Sequence, residues 1–323
     1  MLDSALQQKL LLALYQHHFT ASTDLLFSLR EWAEAQNTDF NVALENCEIL
    51  TERFHAEGVT FGPTAKITIG GIMQVESHNL VPDQQRKNDH IRITILKFLA
   101  EQRNSGSSDL LHYEKLLAET SLSRDDFFRN IDLLEYHGYL GPTAQGCYEI
   151  TANGLGKAAE CSAILDRAHE FENLKHSIDI SPQQRGHELE RLLEKLFIAE
   201  GWRCQRNVKR PGEETDLVIN LEREYYLVEA KWQQSPIEPN SLRDFRGKVS
   251  ARVGARGIFV SMSGFTDEAC KDAICRLESS LILLFGHKDV DAMMSGEVGF
   301  NVLLNAKFDA AMSKRQILVD VIS

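Results

Sequence analysis

Glu190, Asp216, Glu229 and Lys231 are the residues of this chain whose types and spacing could do chemistry together. Glu229-Ala230-Lys231 closes a run of strand character, Tyr225-Tyr226-Leu227-Val228. Residues two apart on a strand project from one face, so Glu229 and Lys231 point the same way. Asp216 opens a second run, Asp216-Leu217-Val218-Ile219, which reads as a neighbouring buried strand. Glu190 lies among Leu189, Leu192, Leu193 and Leu196, on a helix that can cover the sheet. Carboxylates gathered at one point repel each other unless a cation lies between them. Hard cations such as Mg²⁺ take one or two carboxylates, carbonyl oxygens and several waters. Asp216 and Glu229 supply such a pair, with Glu190 as a third metal-facing acid and Mn²⁺ as a substitute ion. A cation there polarises a phosphate and lowers the pKa of a bound water, and Lys231 offsets transition-state charge. The set fits hydrolysis of a phosphodiester.

The elements that must position these groups occupy the C-terminal half. A helix from Gly186 ends near Gly201, and Trp202–Asn207 reads as a strand. A basic loop follows, with Arg203, Arg206, Lys209 and Arg210 leading to Pro211-Gly212. After the two strands that carry Asp216 and Glu229, the pattern predicts a helix over Ser241–Val253 and a strand over Gly257–Ser261. A helix over Thr266–Glu278 and a strand over Leu281–Phe285 complete it. Arg206, Lys209 and Arg210 can clamp phosphates beside the site. Arg243, Arg246 and Lys248, with Arg252, can line a DNA groove, although solvated charged faces account for either run as well. Residues 287–323 hold a further helix and an apolar run, Ile317–Ile322, fit for an edge strand or a subunit contact.

The same residues resemble the Mrr-like branch of the PD-(D/E)xK nuclease superfamily, over roughly residues 185–290. Gly186-His187-Glu188-Leu189-Glu190 followed by Glu200-Gly201-Trp202 resembles the family's opening helix. Leu227-Val228-Glu229-Ala230-Lys231 resembles its core strand. Pro236-Ile237, Leu242 through Gly247, and Gly257-Ile258-Phe259-Val260-Ser261-Met262-Ser263-Gly264-Phe265-Thr266 resemble the later elements. The resemblance implies that Asp216 and Glu229 bind metal, that Lys231 acts on the water and that Glu190 is an accessory acid. It implies a mixed central sheet flanked by helices, and double-stranded DNA as substrate. Two departures stand out. Glu213-Glu214-Thr215 precedes Asp216 where many members carry glycines, and Glu229 replaces the glutamine frequent in Mrr-like proteins. Glu188 competes with Glu190 for the helix position; the distance to Gly201 favours Glu190.

The N-terminal half contains a repeat. Gly62-Pro63-Thr64-Ala65 leads to Ile67-Thr68-Ile69-Gly70-Gly71, and Gly141-Pro142-Thr143-Ala144 leads to Ile150-Thr151-Ala152-Asn153-Gly154. Each block follows three amphipathic segments, the last ending at a glycine, Gly58 or Gly138. In the second copy Ser123 can cap the third helix, with Asp125 and Asp126 in its first turn. Three helices, a hairpin and a closing helix describe a winged helix, so the repeat predicts two in tandem. After Thr151 the helix can run on through Leu165, Phe171 and Leu174, as a connector or dimerisation helix or as a helix packed on its own domain; the short run favours the latter.

Composition bounds the rest. The chain has 323 residues and a formal net charge of -12, and residues 1–83 carry eleven Asp and Glu against four Lys and Arg. Glu45, Glu48, Glu52 and Glu57 make the first copy's third helix and the turn after it a poor DNA-reading surface; Arg124, Arg129 and Asn130 of the second copy serve better. The acidic N-terminal domain suits a regulatory protein partner instead. Six scattered cysteines form no C-x-x-C pair, which argues against zinc and for reduced thiols. No apolar run is long enough to span a bilayer, and Met1-Leu2-Asp3-Ser4 carries no basic leader. The expectation is therefore an α+β multidomain cytoplasmic protein. Winged-helix-like repeats occupy 1–78 and 79–180 (the latter with the connector helix), and a restriction-endonuclease-like catalytic domain occupies 181–323. It would act on DNA as a homodimer or higher oligomer, in restriction or anti-phage defence. The alternative is a non-catalytic nucleic-acid-binding or regulatory protein on the same fold.

Overall fold

The computed structural model describes residues 5–21, 26–58, 63–106, 111–141, 146–177, 179–210, 213–277 and 280–319. Parts of both repeated turns (Gly62, Pro142–Ala144), Pro211-Gly212, Glu278 and the Asp320–Ile322 end of the apolar run lie outside these residues. The chain divides into two compact units, Met1–Ser162 and Ala163–Ser323. The division falls within a long helix, not at the expected 180/181 boundary. The helix's first half contributes Ala158 to a core of the first unit, and its second half contributes Phe171 and Leu174 to the core of the second.

The first unit is built of α1 (Ala5–Thr20), β1 (Phe27–Ser28), α2 (Leu29–Ala35), α3 (Phe40–Glu52), β2 (Ala56–Gly58), β3 (Thr64–Ile67) and α4 (Ile69–Ser77), followed by α5 (Pro82–Asn104), β4 (Leu111–His112), α6 (Tyr113–Thr120), α7 (Arg124–Tyr136), β5 (Cys147–Tyr148) and the start of α8 (Ala152–His176). The two halves share one order of helices and short antiparallel pairings, β1-β3-β2 in the first and β4-β5 in the second. Ser28, Asp39, His112 and Ser123 cap α2, α3, α6 and α7 with side-chain acceptors, satisfying backbone donors that have no partner inside the helix.

The repeated Ile-Thr-x-x-Gly has a physical cause. The hydroxyls of Thr68 and Thr151 accept from the backbone N–H of Gly71 and Gly154, and donate to the carbonyls of Phe54 and Gly138. This draws each helix start onto the turn before the hairpin. A Cβ on Gly71 would sit 2.1 Å from the His55 carbonyl oxygen, and one on Gly154 2.1 Å from that of Tyr139. The turn itself needs a left-handed residue: Gly138 in the second copy (φ 67°), the exposed Phe54 in the first (φ 60°). A buried polar network joins the two copies. Arg92 grips Glu76 through two bonds of 2.8 and 2.9 Å, Tyr15 donates to Glu76 at 2.8 Å, and Asn88 donates to Tyr15 at 3.0 Å.

The second unit continues with α9 (Pro182–Ala199), β6 (Arg203–Arg210), β7 (Glu213–Leu221), β8 (Glu224–Lys231), α10 (Pro239–Ser250), β9 (Arg256–Ser261), α11 (Asp267–Cys275), β10 (Ile282–Phe285), α12 (His287–Ser295) and α13 (Phe300–Lys314). Its mixed sheet has the order β10-β9-β8-β7-β6, with β8, β9 and β10 parallel and β6 and β7 antiparallel. The buried strands read as near-continuous apolar runs, as strands covered on both faces do. The basic stretch expected as a loop is strand through Arg210. At the sheet edge its side chains stay exposed, so charge does not oppose pairing. Ser181 and Gln184 form a capping box on α9, and Pro182 sits in its first turn. Ile317 is buried and its carbonyl accepts from Leu284 on β10, but residues 317–319 form no strand. The cysteines are free thiols, and no described helix is long and apolar enough to cross a membrane.

Candidate active site

The β7–β8 ladder pairs Leu221 with Glu224 through to Leu217 with Val228. One step further, the same register sets Asp216 opposite Glu229, and there the backbone pairing stops. The Asp216 side chain takes over: its Oδ2 accepts the backbone N–H of Ala230 at 2.9 Å. On its other side β8 stays paired with β9 as far as Lys231 opposite Ser261. Glu229 and Lys231 are thus held firmly while β7 turns away from them. Asn207, left-handed at φ 54°, lies across from Asp216 on β6, between the Arg206–Leu217 and Val208–Thr215 pairs. The site forms where the sheet opens.

Glu190 enters from α9, a polar member of the face that buries Leu189, Leu193, Leu196 and Phe197. Its Oε1 lies 3.5 Å from His187 Nδ1, and its buried Oε2 has no hydrogen-bond partner among the described residues. Glu188 pairs outward with Arg191 at 2.7 Å, so the helix offers Glu190, not Glu188, to the site. Lys231 Nζ bonds Glu229 Oε1 at 2.8 Å. Burial pushes the Asp216 carboxyl up to about 6, and the nearby Glu229 and Glu190 add to the rise against the Ala230 N–H and Lys231. Burial opposes the Lys231 charge, but the bond to Glu229 and the other acids override it and raise its pKa.

Lys248, expected on a DNA-facing surface, is turned into this site. Its Nζ lies 2.8 Å from Glu229 Oε2 and donates to the Glu214 carbonyl at 2.8 Å. Arg246 is buried, with Nη1 on Asp272 at 3.2 Å, and so offers no surface to a phosphate. Arg243 pairs with the same aspartate at 2.8 Å. On β6, Arg206 pairs with Glu194 and Lys209 with Glu214, both at 3.4 Å, and Arg210 is exposed at the strand end. In the N-terminal unit Glu45, Glu48, Glu52 and Glu57 are exposed. Arg129 is spent on the carbonyls of Phe19 and Ala21, and Asn130 is buried; of the three residues favoured there for DNA, Arg124 alone is exposed.

The donors around Asp216 are hard oxygens, partly desolvated, and one of them is an unpartnered buried carboxylate oxygen. That chemistry fits a divalent cation such as Mg²⁺. Among the described residues no group of three or more His, Cys, Asp and Glu is arranged to hold a metal ion.

Residues 182–294 match the family model of the Mrr catalytic domain, a restriction endonuclease. The matched segment begins at α9 and ends within α12, so it contains Glu190, Asp216, Glu229, Lys231 and Lys248. Solved structures similar to the chain include a protein of unknown function, AF1548 (21% identity, 38% of this chain and 66% of that one, TM-score 0.28). MspJI restriction endonuclease in complex with an oligonucleotide is another (17%, 50% and 36%, TM-score 0.27). FokI restriction endonuclease bound to DNA is a third (10%, 94% and 65%, TM-score 0.32). In each case less than two thirds of the other protein's length is spanned. No curated protein matches the chain.

Proposed function

We propose that the chain is a metal-dependent DNA endonuclease of the restriction or anti-phage defence type. The carrying observation is that Asp216 and Glu229 meet where the β7–β8 ladder opens, with Lys231 on Glu229, inside a restriction-endonuclease domain. Asp216 and Glu229 would hold Mg²⁺ or Mn²⁺, with Glu190 aiding from α9. When bound, the cation neutralises charge and makes water acidic. Lys231 offers mobile N–H donors to a water or to a phosphate oxygen in its charged transition state. The paired β8–β9 backbone keeps Glu229 and Lys231 from shifting as charge develops.

The N-terminal halves, each helix–strand–helix–helix–hairpin–helix, read as winged helices that serve targeting, dimerisation or regulation. Their exposed acids favour a protein partner over a phosphate backbone in the first copy. One observation favours the non-catalytic alternative: no three-residue metal group closes among the described residues.

Supercoiled plasmid incubated with Mg²⁺, Mn²⁺ or EDTA decides between them. Cleavage that needs the cation and falls about 10²- to 10³-fold or more in Asp216→Ala, Glu229→Ala and Lys231→Ala is expected. Uncut plasmid at every condition, with DNA still retarded in a gel, would leave the binding role. Full cleavage in both Asp216→Ala and Lys231→Ala would place the chemistry elsewhere.

A further inference from the structure

Two lysines, not one, stand on Glu229. Lys231 takes Oε1 and Lys248 takes Oε2, each at 2.8 Å. Their surroundings differ. The Lys231 side chain is 40% exposed and the Lys248 side chain 23%. Lys248 also reaches across to strand β7, donating to the Glu214 carbonyl two residues before Asp216. One turn later on α10's side, Arg252 bonds the Glu213 carboxylate at 2.7 Å and donates to the Lys248 carbonyl at 2.6 Å. The end of α10 therefore fastens the start of β7 beside the point where the β7–β8 ladder stops.

We propose that Lys248 is a positioning residue of the cleavage site: it fixes the Glu229 carboxylate by tying it to the Glu214 carbonyl across the opening between β7 and β8. This rests on the nuclease reading above. An ammonium has three donors, and two of Lys248's are spent on acceptors from two different strands. That geometry replaces the missing backbone pairing with a side-chain brace. It also leaves Lys231, the more exposed of the two, as the lysine able to turn toward a phosphate. Lys248 has a second effect. With three carboxylates (Glu190, Asp216, Glu229) facing two ammonium groups, the cluster keeps a single excess negative charge when all are ionised. A cation that approaches Glu229 meets the Lys248 charge at short range, so the brace moderates cation affinity while it orients the ligand.

The test is Lys248→Met, with Lys248→Arg beside it, in the full chain. Mn²⁺ binding without DNA is followed by the loss of the free ion's paramagnetic resonance signal, and cleavage is followed as kcat and KM separately. In Lys248→Met, Mn²⁺ should bind about tenfold more tightly, because a repelling charge is gone. Yet kcat should fall about tenfold or more with KM for DNA unchanged, because the carboxylate is no longer held. Lys248→Arg keeps the charge and should hold Mn²⁺ affinity near wild type while restoring part of kcat, since a planar guanidinium bridges the two acceptors less well. A DNA-contact role predicts the opposite pattern: unchanged Mn²⁺ affinity and kcat, a raised KM, and a salt dependence shallower by about one unit. That pattern overturns the proposal, as does a Lys248→Met enzyme with wild-type Mn²⁺ affinity and kcat. If Lys248→Met does not fold, wild-type kcat and looser Mn²⁺ binding in Lys248→Arg overturn it equally. A wild-type chain that neither binds Mn²⁺ nor cuts DNA is a different result: it removes the nuclease reading itself, and this proposal with it.

Discussion

Replacing Asp216 with asparagine should stabilise the protein and abolish its chemistry. The Asp216 carboxyl is raised from 3.8 to about 6, first by burial and then by Glu229. A raised acid prefers its protonated form in the folded state. Its favourable contribution is complete below its ordinary value and is lost as the pH rises through about 6. Two pKa units at about 1.4 kcal/mol each put the cost of the ionised carboxylate near 3 kcal/mol above pH 7. Asparagine carries no charge, and its amide oxygen can still accept the Ala230 N–H. Asp216→Asn should therefore exceed wild type in stability by about 2–3 kcal/mol at pH 7.5, or roughly 5–10 °C in the melting of a unit of this size. The advantage should shrink as the pH falls from about 6 toward 4, where wild type regains its proton.

Thermal melts of the full chain in EDTA, across pH 4.5 to 7.5, measure this, with Trp202 and Trp232 reporting on the C-terminal unit. Equal melting of Asp216→Asn and wild type at pH 7.5, or a gap that does not change with pH, would refute the electrostatic account of the site. Added Mg²⁺ should raise the melting temperature of wild type above that of the variant only if the cation uses this carboxylate, because ligand binding to the native state alone stabilises it.

Gly71→Ala and Gly154→Ala should each destabilise the N-terminal unit by about 2 kcal/mol or more, because a Cβ 2.1 Å from a carbonyl oxygen forces the helix start off its turn. Wild-type stability in both, read by circular dichroism, would mean the Ile-Thr-x-x-Gly repeat has no steric basis. Reversing Arg206 and Lys209 to glutamate should weaken DNA binding and flatten its log–log salt dependence by about one unit per lost phosphate contact. Reversing Arg30 and Arg53, two of the four basic residues among residues 1–83, to glutamate should leave DNA affinity alone. A gel-shift titration at several salt concentrations that gives the reverse order would exchange the roles of the two halves.

The site was legible where local geometry decides side-chain direction. A strand's period of two put Glu229 and Lys231 on one face, and a helix row of leucines put Glu190 toward the sheet. The repeat was legible because a steric requirement recurs as letters. Lys248 was not, since its partners lie 19 and 34 positions away and are joined only by the fold. Arg246 had left a signal: it falls in the Leu242, Phe245, Val249 row, the stripe a helix buries. Its charge masks that pattern. Beyond Asn207 the basic residues through Arg210 read as a loop for the same reason, although an exposed edge strand asks for no apolar face. The 180/181 boundary followed the turn signal at Ser181-Pro182, whereas the packing of Phe171 and Leu174 draws the preceding helix into the second unit.

The net charge of -12 is at odds with a polyanionic substrate only if charge is read as a total. More than half of the excess lies in the first 83 residues, with eleven acids against four bases. Electrostatic attraction to phosphate falls off over about a Debye length, near 8–10 Å in ordinary salt, so what matters is the charge within that reach of the cut. Around Glu229 the balance is set by Lys231 and Lys248 against three carboxylates, and on the far side of β7 the edge strand β6 presents Arg206, Lys209 and Arg210. Arg206 and Lys209 are loosely paired, at 3.4 Å, to Glu194 and Glu214. Pairs of that kind at a surface contribute little to stability, so exchanging a carboxylate for a phosphate costs little. On the proposed reading the acids of the site are then balanced in two stages, in part by the two lysines and then by the bound cation. Only the second stage leaves Lys231 free to face the phosphate.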